Sequence, residues 1–258
     1  VNIVIAKDRP QLGNWVASQA AAELRKVMAE HGEARLLIAT GSSQFEVLDE
    51  LSQHMDVHWP AVSGFHLDEY IGIAADHPAS FCGYLKTRFV DRVPLKGFHY
   101  LRGDVDPYGL TAEANQAINA HPTDRPPIDV ALVGIGENGH LAFNDPPADF
   151  DCEDAYIIVK LDEACRLQQV GEGWFAGLED VPTTAISMSI RQIMKSAKIF
   201  CSVPDERKAI AVQKSVEGEV TPQVPASILQ RHPNVTLIVD KAAASLLSIS
   251  TQQRALKL

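Results

Sequence analysis

The segment Val130-Ala131-Leu132-Val133-Gly134-Ile135-Gly136-Glu137-Asn138-Gly139-His140-Leu141-Ala142-Phe143-Asn144-Asp145-Pro146-Pro147 decides how the rest of the chain is read. An apolar run ends in alternating glycines, so a short buried strand passes into a loop that is too glycine-rich and proline-bounded for a long helix. Gly134, Gly136 and Gly139 permit positive φ and close backbone approach. His140 and Asp145 are thereby delivered to the C-terminal end of a parallel strand, where open α/β sheets bind ligands. An imidazole near a carboxylate is a proton-transfer pair, although a loop histidine can equally be a structural group bonded to backbone. No second histidine stands at metal-ligand spacing from His140, so no metal site is read here. No Gly-Lys-Ser/Thr follows, which excludes a P-loop. The glycines fit GxGxxG in letters, yet Phe143-Asn144-Asp145-Pro146-Pro147 stops a helix where a dinucleotide-binding unit would start one.

Working outward, the chain alternates strand and helix. Ile3 to Ala6 reads as a strand, and Asp8 and Pro10 open a helix whose apolar residues recur at three- and four-residue steps until Gly32. Leu36 to Ala39 is a second strand, followed by Thr40-Gly41-Ser42-Ser43 and a helix through Leu51. Small hydroxyl residues and glycine at that junction make either a phosphate cradle or a plain N-cap. Val62 to Leu67 is a strand running into Asp68-Glu69-Tyr70, which is either a solvated turn or a pair of acids on the same sheet edge as His140. Phe81 to Val93 and Leu110 to Ala120 read as helices, Phe98 to Leu101 as extended. Past Pro147, Ile157 to Leu161, Pro182 to Ser189, Lys198 to Val203 and Val235 to Val239 read as strands. Asp205 caps a helix through about Val216, Pro225 to Leu229 is a short helix, and Lys241 to Leu247 a closing one. The stretch 162–182, with Arg166, Trp174 and three glycines, has the mixed character of a mobile lid. This pattern predicts an α/β fold: an open, mostly parallel, Rossmann-like sheet with helices on both faces, in a single elaborated domain over 1–258.

Composition narrows the function classes. The chain has 258 residues, 46% hydrophobic and 22% charged, enough for one large core. Its net charge of -10, without a Lys/Arg run, argues against a nucleic-acid partner. A local pocket of cations can still receive an anion. No stretch is long and apolar enough for a membrane span, and no signal-peptide plan is visible at the N-terminus. Four cysteines without a CxxC pair read as reduced thiols of a cytoplasmic enzyme. The chain starts at Val1 rather than Met, so a few upstream residues are expected.

These segments together resemble the glucosamine-6-phosphate deaminase (glucosamine-6-phosphate isomerase) family, within the group that includes the 6-phosphogluconolactonases. The resemblance runs in order through Thr40-Gly41-Ser42-Ser43, Gly64-Phe65-His66-Leu67-Asp68-Glu69-Tyr70, His77-Pro78-Ala79-Ser80-Phe81, the Gly134 to Pro146 segment, Val216-Glu217-Gly218 and Pro225-Ala226-Ser227-Ile228-Leu229-Gln230. Lactonase relatives typically continue the histidine segment with a Ser-Leu-Phe-Pro type sequence, so Phe143-Asn144-Asp145-Pro146 places this chain on the deaminase side.

The resemblance implies conversion of glucosamine 6-phosphate, or a close analogue, to fructose 6-phosphate and ammonia without a cofactor. Asp68 matches the proton shuttle between C2 and C1, and His140 with Asp145 the group that opens the sugar ring, with Asn138 beside them. Gly41, Ser42, Ser43, Arg166 from the lid and Lys208 match the phosphate clamp. The implied partner is a small sugar phosphate, and self-association ranges in the family from monomers to hexamers, so a homo-oligomer is left open. Two positions depart from the pattern. Asn138 stands where some members carry Asp, and Asp145 where Glu is usual. A gap of about 1 Å at a catalytic contact can cost on the order of 100-fold in rate. Either the loop draws closer, or the substrate is another amino-sugar phosphate, or activity is lost. Two alternatives stand beside the deaminase: a 6-phosphogluconolactonase-type hydrolase, which keeps His140 as base but gives Asp68 no task, and a non-catalytic sugar-phosphate sensor, which would need none of the three acid–base residues.

Overall fold

Central strands that are buried at every position require both faces of their sheet to be covered. Ala34–Ile38 and Val130–Val133 are such strands, buried along their whole length. A computed structural model describing residues 1–258 shows how they are covered. In chain order the elements are β1 (Asn2–Ala6), α1 (Arg9–His31), β2 (Ala34–Ile38), α2 (Phe45–Leu51), β3 (Val62–His66), β4 (Asp68–Tyr70), α3 (Phe81–Arg88), β5 (Gly97–His99), α4 (Pro107–Asn119), β6 (Val130–Val133), β7 (Tyr156–Lys160), α5 (Glu163–Gly171), β8 (Thr184–Met188), α6 (Ile190–Ile193), β9 (Lys198–Val203), α7 (Ala209–Glu217), β10 (Val235–Asp240), α8 (Ile249–Arg254) and β11 (Leu256–Lys257). Eight strands form one sheet in the order β11-β1-β10-β9-β6-β2-β3-β5, with every neighbouring pair parallel. Alternate residues serve opposite layers: Leu36, Ile38, Val130 and Leu132 pack with α1 and α2, while Leu37, Ala131 and Val133 pack into the core of the other face.

The long first helix forms as its signals require. Asp8 accepts from the Gln11 amide at 3.0 Å, Pro10 occupies the first turn, and Gly32 closes it at φ 79° with its N–H on Met28 O. No helix in the structure is long and apolar enough to cross a membrane.

The structure departs from the sequence reading in three places. Asp68-Glu69-Tyr70 is neither a turn nor a continuation of β3: it is strand β4 of a second sheet, β4-β8-β7, which is antiparallel. Lys241 to Leu247 is a series of turns rather than a helix. Asp240 accepts from the Ala243 amide with its side chain, and after a single four-residue bond, from Ala244 N to Asp240 O, the bonds of Ser245 and Leu247 span three residues. The closing helix comes later, where Ser248 caps Ile249–Arg254. Beyond it, Leu256–Lys257 adds an edge strand beside β1, too short to read from pattern.

The second sheet packs its own aromatic cluster, in which Tyr70, Phe81, Phe143 and Phe175 meet Cys165 of α5. It therefore holds the 162–182 stretch over the C-terminal edge of the large sheet. That edge is where the loops after β2, β3, β6 and β9 converge on one cavity.

Candidate active site

The loop after β6 is shaped by what its glycines leave out. A Cβ on Gly136 would lie 2.1 Å from Cε1 of His140, so the imidazole occupies the space a side chain would need. The backbone closes tightly around it, with Gly139 N donating to Gly136 O and Gly136 N to His140 O, each at 3.0 Å. Asn138 Oδ1 accepts the His140 amide at 3.0 Å. The next turn is pinned by Asn144, whose buried amide donates to Leu141 O and Met188 O, both at 2.8 Å. This anchor to β8 lets Ala142 keep a left-handed φ of 53°.

His140 faces the cavity, and Asp145 stands behind it. Their Nδ1 and Oδ1 atoms are 3.2 Å apart, close enough for an ion pair although not aligned as a hydrogen bond. The shorter arm of Asp145 thus reaches the imidazole. Burial would raise the Asp145 carboxyl, but the neighbouring His140 ring, the Asp162 amide and Asn138 together outweigh it and hold the carboxyl below its ordinary range. The Asp162 N–H reaches Oδ2 at 2.9 Å. Asn138 Nδ2 reaches Oδ1 at 3.0 Å and also Asp162 Oδ2 at 3.2 Å. The residue that caps α5 is therefore bonded to the histidine loop.

Asp68, on the same cavity wall as His140, is in the opposite situation. It is 6% exposed, and burial, with repulsion from Glu69, pushes its carboxyl up to about 8. Glu69 points away from the cavity and accepts from Tyr70 N, Ser80 Oγ, Phe81 N and Cys82 N. Burial raises its carboxyl as well, against those four bonds. Of the adjacent acids, one faces the cavity and the other holds the start of α3. Two carboxylates around one cavity with opposite shifts are the arrangement from which acid and base roles are assigned.

The far end of the cavity brings small hydroxyl residues and cationic side chains together. Gly41, Ser42 and Ser43 line it beside Lys208 and Arg207. Tyr84 Oη holds Gly41 O at 3.1 Å, Arg9 donates to Ser42 O, and buried Gln44 ties the loop to Val133 O at 3.1 Å. Burial lowers the Lys208 ammonium, and Glu172 and Glu137 oppose that shift. Lys208 has a single ion-pair partner, Glu172, at 3.7 Å.

Most of the residues singled out from sequence meet here: Asp68, His140, Gly41, Ser42, Ser43 and Lys208 line the cavity, and Asp145 and Asn138 back the histidine. Arg166 is the exception. Its guanidinium turns away and donates to the carbonyls of Val181, at 2.9 and 3.2 Å, and of Leu178. It closes the ends of the 162–182 stretch on each other instead of reaching the cavity. In its place α5 contributes Gln168, Gln169 and Glu172 to the wall, none of which the sequence pattern singles out. The run Gly171-Glu172-Gly173 is the available signal, a charged residue isolated between glycines. Two clusters bring metal-binding side chains together, His66 with Glu69 and Cys82, and His140 with Asp145 and Cys165. Both are poor ligand sets: Glu69 already accepts four bonds, and burial pushes both thiols up, away from the thiolate a metal needs.

The family model for glucosamine-6-phosphate isomerases/6-phosphogluconolactonase matches residues 7–238. A glucosamine-6-phosphate deaminase of Exiguobacterium sibiricum is 37% identical over 245 residues, covering 91% of this chain and 93% of its own. One from Oenococcus oeni is 35% identical over 233 residues, covering 90% and 94%. Among solved structures, a monomeric glucosamine-6-phosphate deaminase superposes with TM-score 0.84 at 28% identity, covering 95% of this chain and 100% of its own. A 6-phosphogluconolactonase from Trypanosoma brucei, at TM-score 0.78 and 16% identity, covers 96% and 98% and shares the fold.

Proposed function

The chain belongs to the glucosamine-6-phosphate isomerase/6-phosphogluconolactonase family, and on that footing we propose that it is an amino-sugar-phosphate deaminase. It turns glucosamine 6-phosphate, or a close analogue, into fructose 6-phosphate and ammonia. The observation that carries this reading is the pairing of a buried carboxyl titrating near 8, Asp68, with a carboxylate-backed imidazole, His140, around one cavity.

Each step has a group suited to it. His140 opens the pyranose by giving a proton to the ring oxygen as the anomeric hydroxyl loses one, and Asp145 stands behind the imidazole through that exchange. Asp68, as the carboxylate, takes the proton from C2 and returns it to C1 on the same face. Burial makes it a far stronger base than a surface aspartate, and a pKa near working pH suits a group that must both accept and give. Water then adds to the C2 iminium and the C2–N bond breaks, so the deamination is hydrolytic. Gly41, Ser42, Ser43 and Lys208 hold the phosphate, and that remote binding energy orients the reacting carbons. Asn138 fixes the histidine loop through its amide. The segment 162–182 acts as the lid, tied at its start to Asp145 through Asp162. No resident metal or cofactor is part of this scheme.

The reading carries a cytoplasmic setting, supported by four free cysteines, and no nucleic-acid or membrane partner, in keeping with the net charge of -10. The deciding assay measures ammonia and fructose 6-phosphate released from glucosamine 6-phosphate, beside galactosamine 6-phosphate and 6-phosphogluconolactone, with Asp68→Asn as control. Amino-sugar turnover that falls at least about a thousandfold in Asp68→Asn is expected. Lactone hydrolysis indifferent to that change would replace the deaminase reading with the hydrolase one.

A further inference from the structure

The anion end of the cavity already contains an anion. The Glu172 carboxylate lies 3.7 Å from Lys208 Nζ and 3.4 Å from Ser42 Oγ. It also accepts from Gln168 Nε2 at 2.8 Å and Trp174 Nε1 at 3.3 Å. Its side chain is 6% exposed and that of Lys208 7%. Two of these donors, Ser42 and Lys208, are the ones a substrate phosphate would use.

We infer that Glu172 is an internal stand-in for the substrate's phosphate, seated in the clamp by the lid and displaced when a phosphate enters. The inference rests on the reading of this end as a phosphate clamp and adds a gate to it. A carboxylate and a phosphate dianion on the same buried lysine repel strongly, so both do not occupy it. The chain around Glu172 is suited to leaving. Gly173 sits at φ 82°, a conformation that other residues resist. At Gly171 nothing stands within 4 Å of a built Cβ, so packing does not call for glycine there. Glu172 ends α5, and its neighbours Gln168 and Trp174 move with the same segment. Gln168 accepts from the Glu137 amide at 2.8 Å and the Trp174 ring packs against Phe45 and Tyr84, so withdrawal of the segment exchanges these contacts together with those of Glu172 to Ser42 and Lys208. The device favours ligands with a dianionic phosphate over singly charged or neutral sugars, because only the former compensate Lys208 better than Glu172 does. Glu172 is on this account a specificity-determining residue of the lid.

The test measures binding of inorganic phosphate to the full chain by titration calorimetry, which needs no turnover. Glu172→Gln is expected to bind phosphate on the order of tenfold more tightly than the wild type, since the competitor loses its charge. Trp174→Phe, which removes one donor holding the carboxylate in place, is expected to tighten binding by about two- to threefold and serves if the first variant does not fold. Phosphate should also change the indole emission of Trp174 in the wild type, and Trp174→Phe should lose that change. Phosphate affinity that is unchanged or weaker in the variants, or saturation by phosphate with no change in Trp174 emission, overturns the inference. If no amino sugar is turned over and tightening is still observed, the gate stands and the deaminase reading falls. Turnover without tightening removes the gate and leaves the deaminase in place.

Discussion

The two ends of the cavity are assembled on opposite plans. At the reaction end each polar group is already placed by the protein itself: the Gly136 to His140 turn seats the imidazole, and Asn138 and the Asp162 amide fix Asp145. At the anchor end the lysine is paired with a carboxylate that a glycine-flanked turn can withdraw. Groups that move protons must be held to fractions of an ångström, so their hydrogen bonds are internal and permanent. A group that binds a dianion must release it again, so its resting partner is exchangeable. The two aspartates make the contrast sharper still. Asp145, surrounded by donors, keeps its charge. Asp68, buried and beside Glu69, holds its proton up to about 8.

The largest effect should come from Asp68. Its folded-state pKa lies above the unfolded value, so its contribution to stability is full below about pH 4 and is lost as pH rises through about 8. Asp68→Asn, the variant expected to lose turnover, should therefore melt higher than the wild type at pH 8 by roughly 5 °C, with the gap closing toward pH 4 in calorimetric scans. A variant less stable at pH 8 would mean that Asp68 is not strained. In the wild type, the rate at low substrate should climb as pH rises toward 8, because the base is the deprotonated form.

At the other end, Lys208→Met is expected to raise KM by about a hundredfold, the loss of a charge-assisted contact to phosphate, with a smaller change in kcat. An equal effect on KM from Arg166→Ala would reinstate Arg166 in the clamp. With its guanidinium on Val181 and Leu178 carbonyls, the expected change there is only about threefold, through a looser lid. Asp145→Glu tests whether the shorter arm is adapted to its loop. The added methylene must displace Asn138 or the Asp162 amide, and a loss of about tenfold in kcat is expected. A gain would show that the longer arm still suits this site.

What is legible in the chain and what is not divide along the same line. The parallel sheet, the long first helix and the histidine loop can be read directly, because continuous apolar runs, caps and glycines act within a few residues of where they stand. His140, Asp68 and the Gly41 to Ser43 turn are legible for the same reason: each lies at the end of a recognisable strand. Arg166 turns away from the cavity and Glu172 into it, and pattern reads neither, because both belong to a segment whose orientation is set by distant partners. Tyr70, Phe143 and Phe175 seat α5, and only that packing turns Arg166 toward Val181 and Glu172 toward Lys208. The second sheet is hidden for a related reason, since β4 pairs with β8 across more than a hundred residues of chain, a distance over which local pattern carries no information. What the sequence determined alone was therefore the set of strand ends that meet at one edge and the acid–base chemistry placed on them. Which charge the lid presents to the anion, and how far Asp145 stands from His140, were decided only when side chains from remote segments closed around one another.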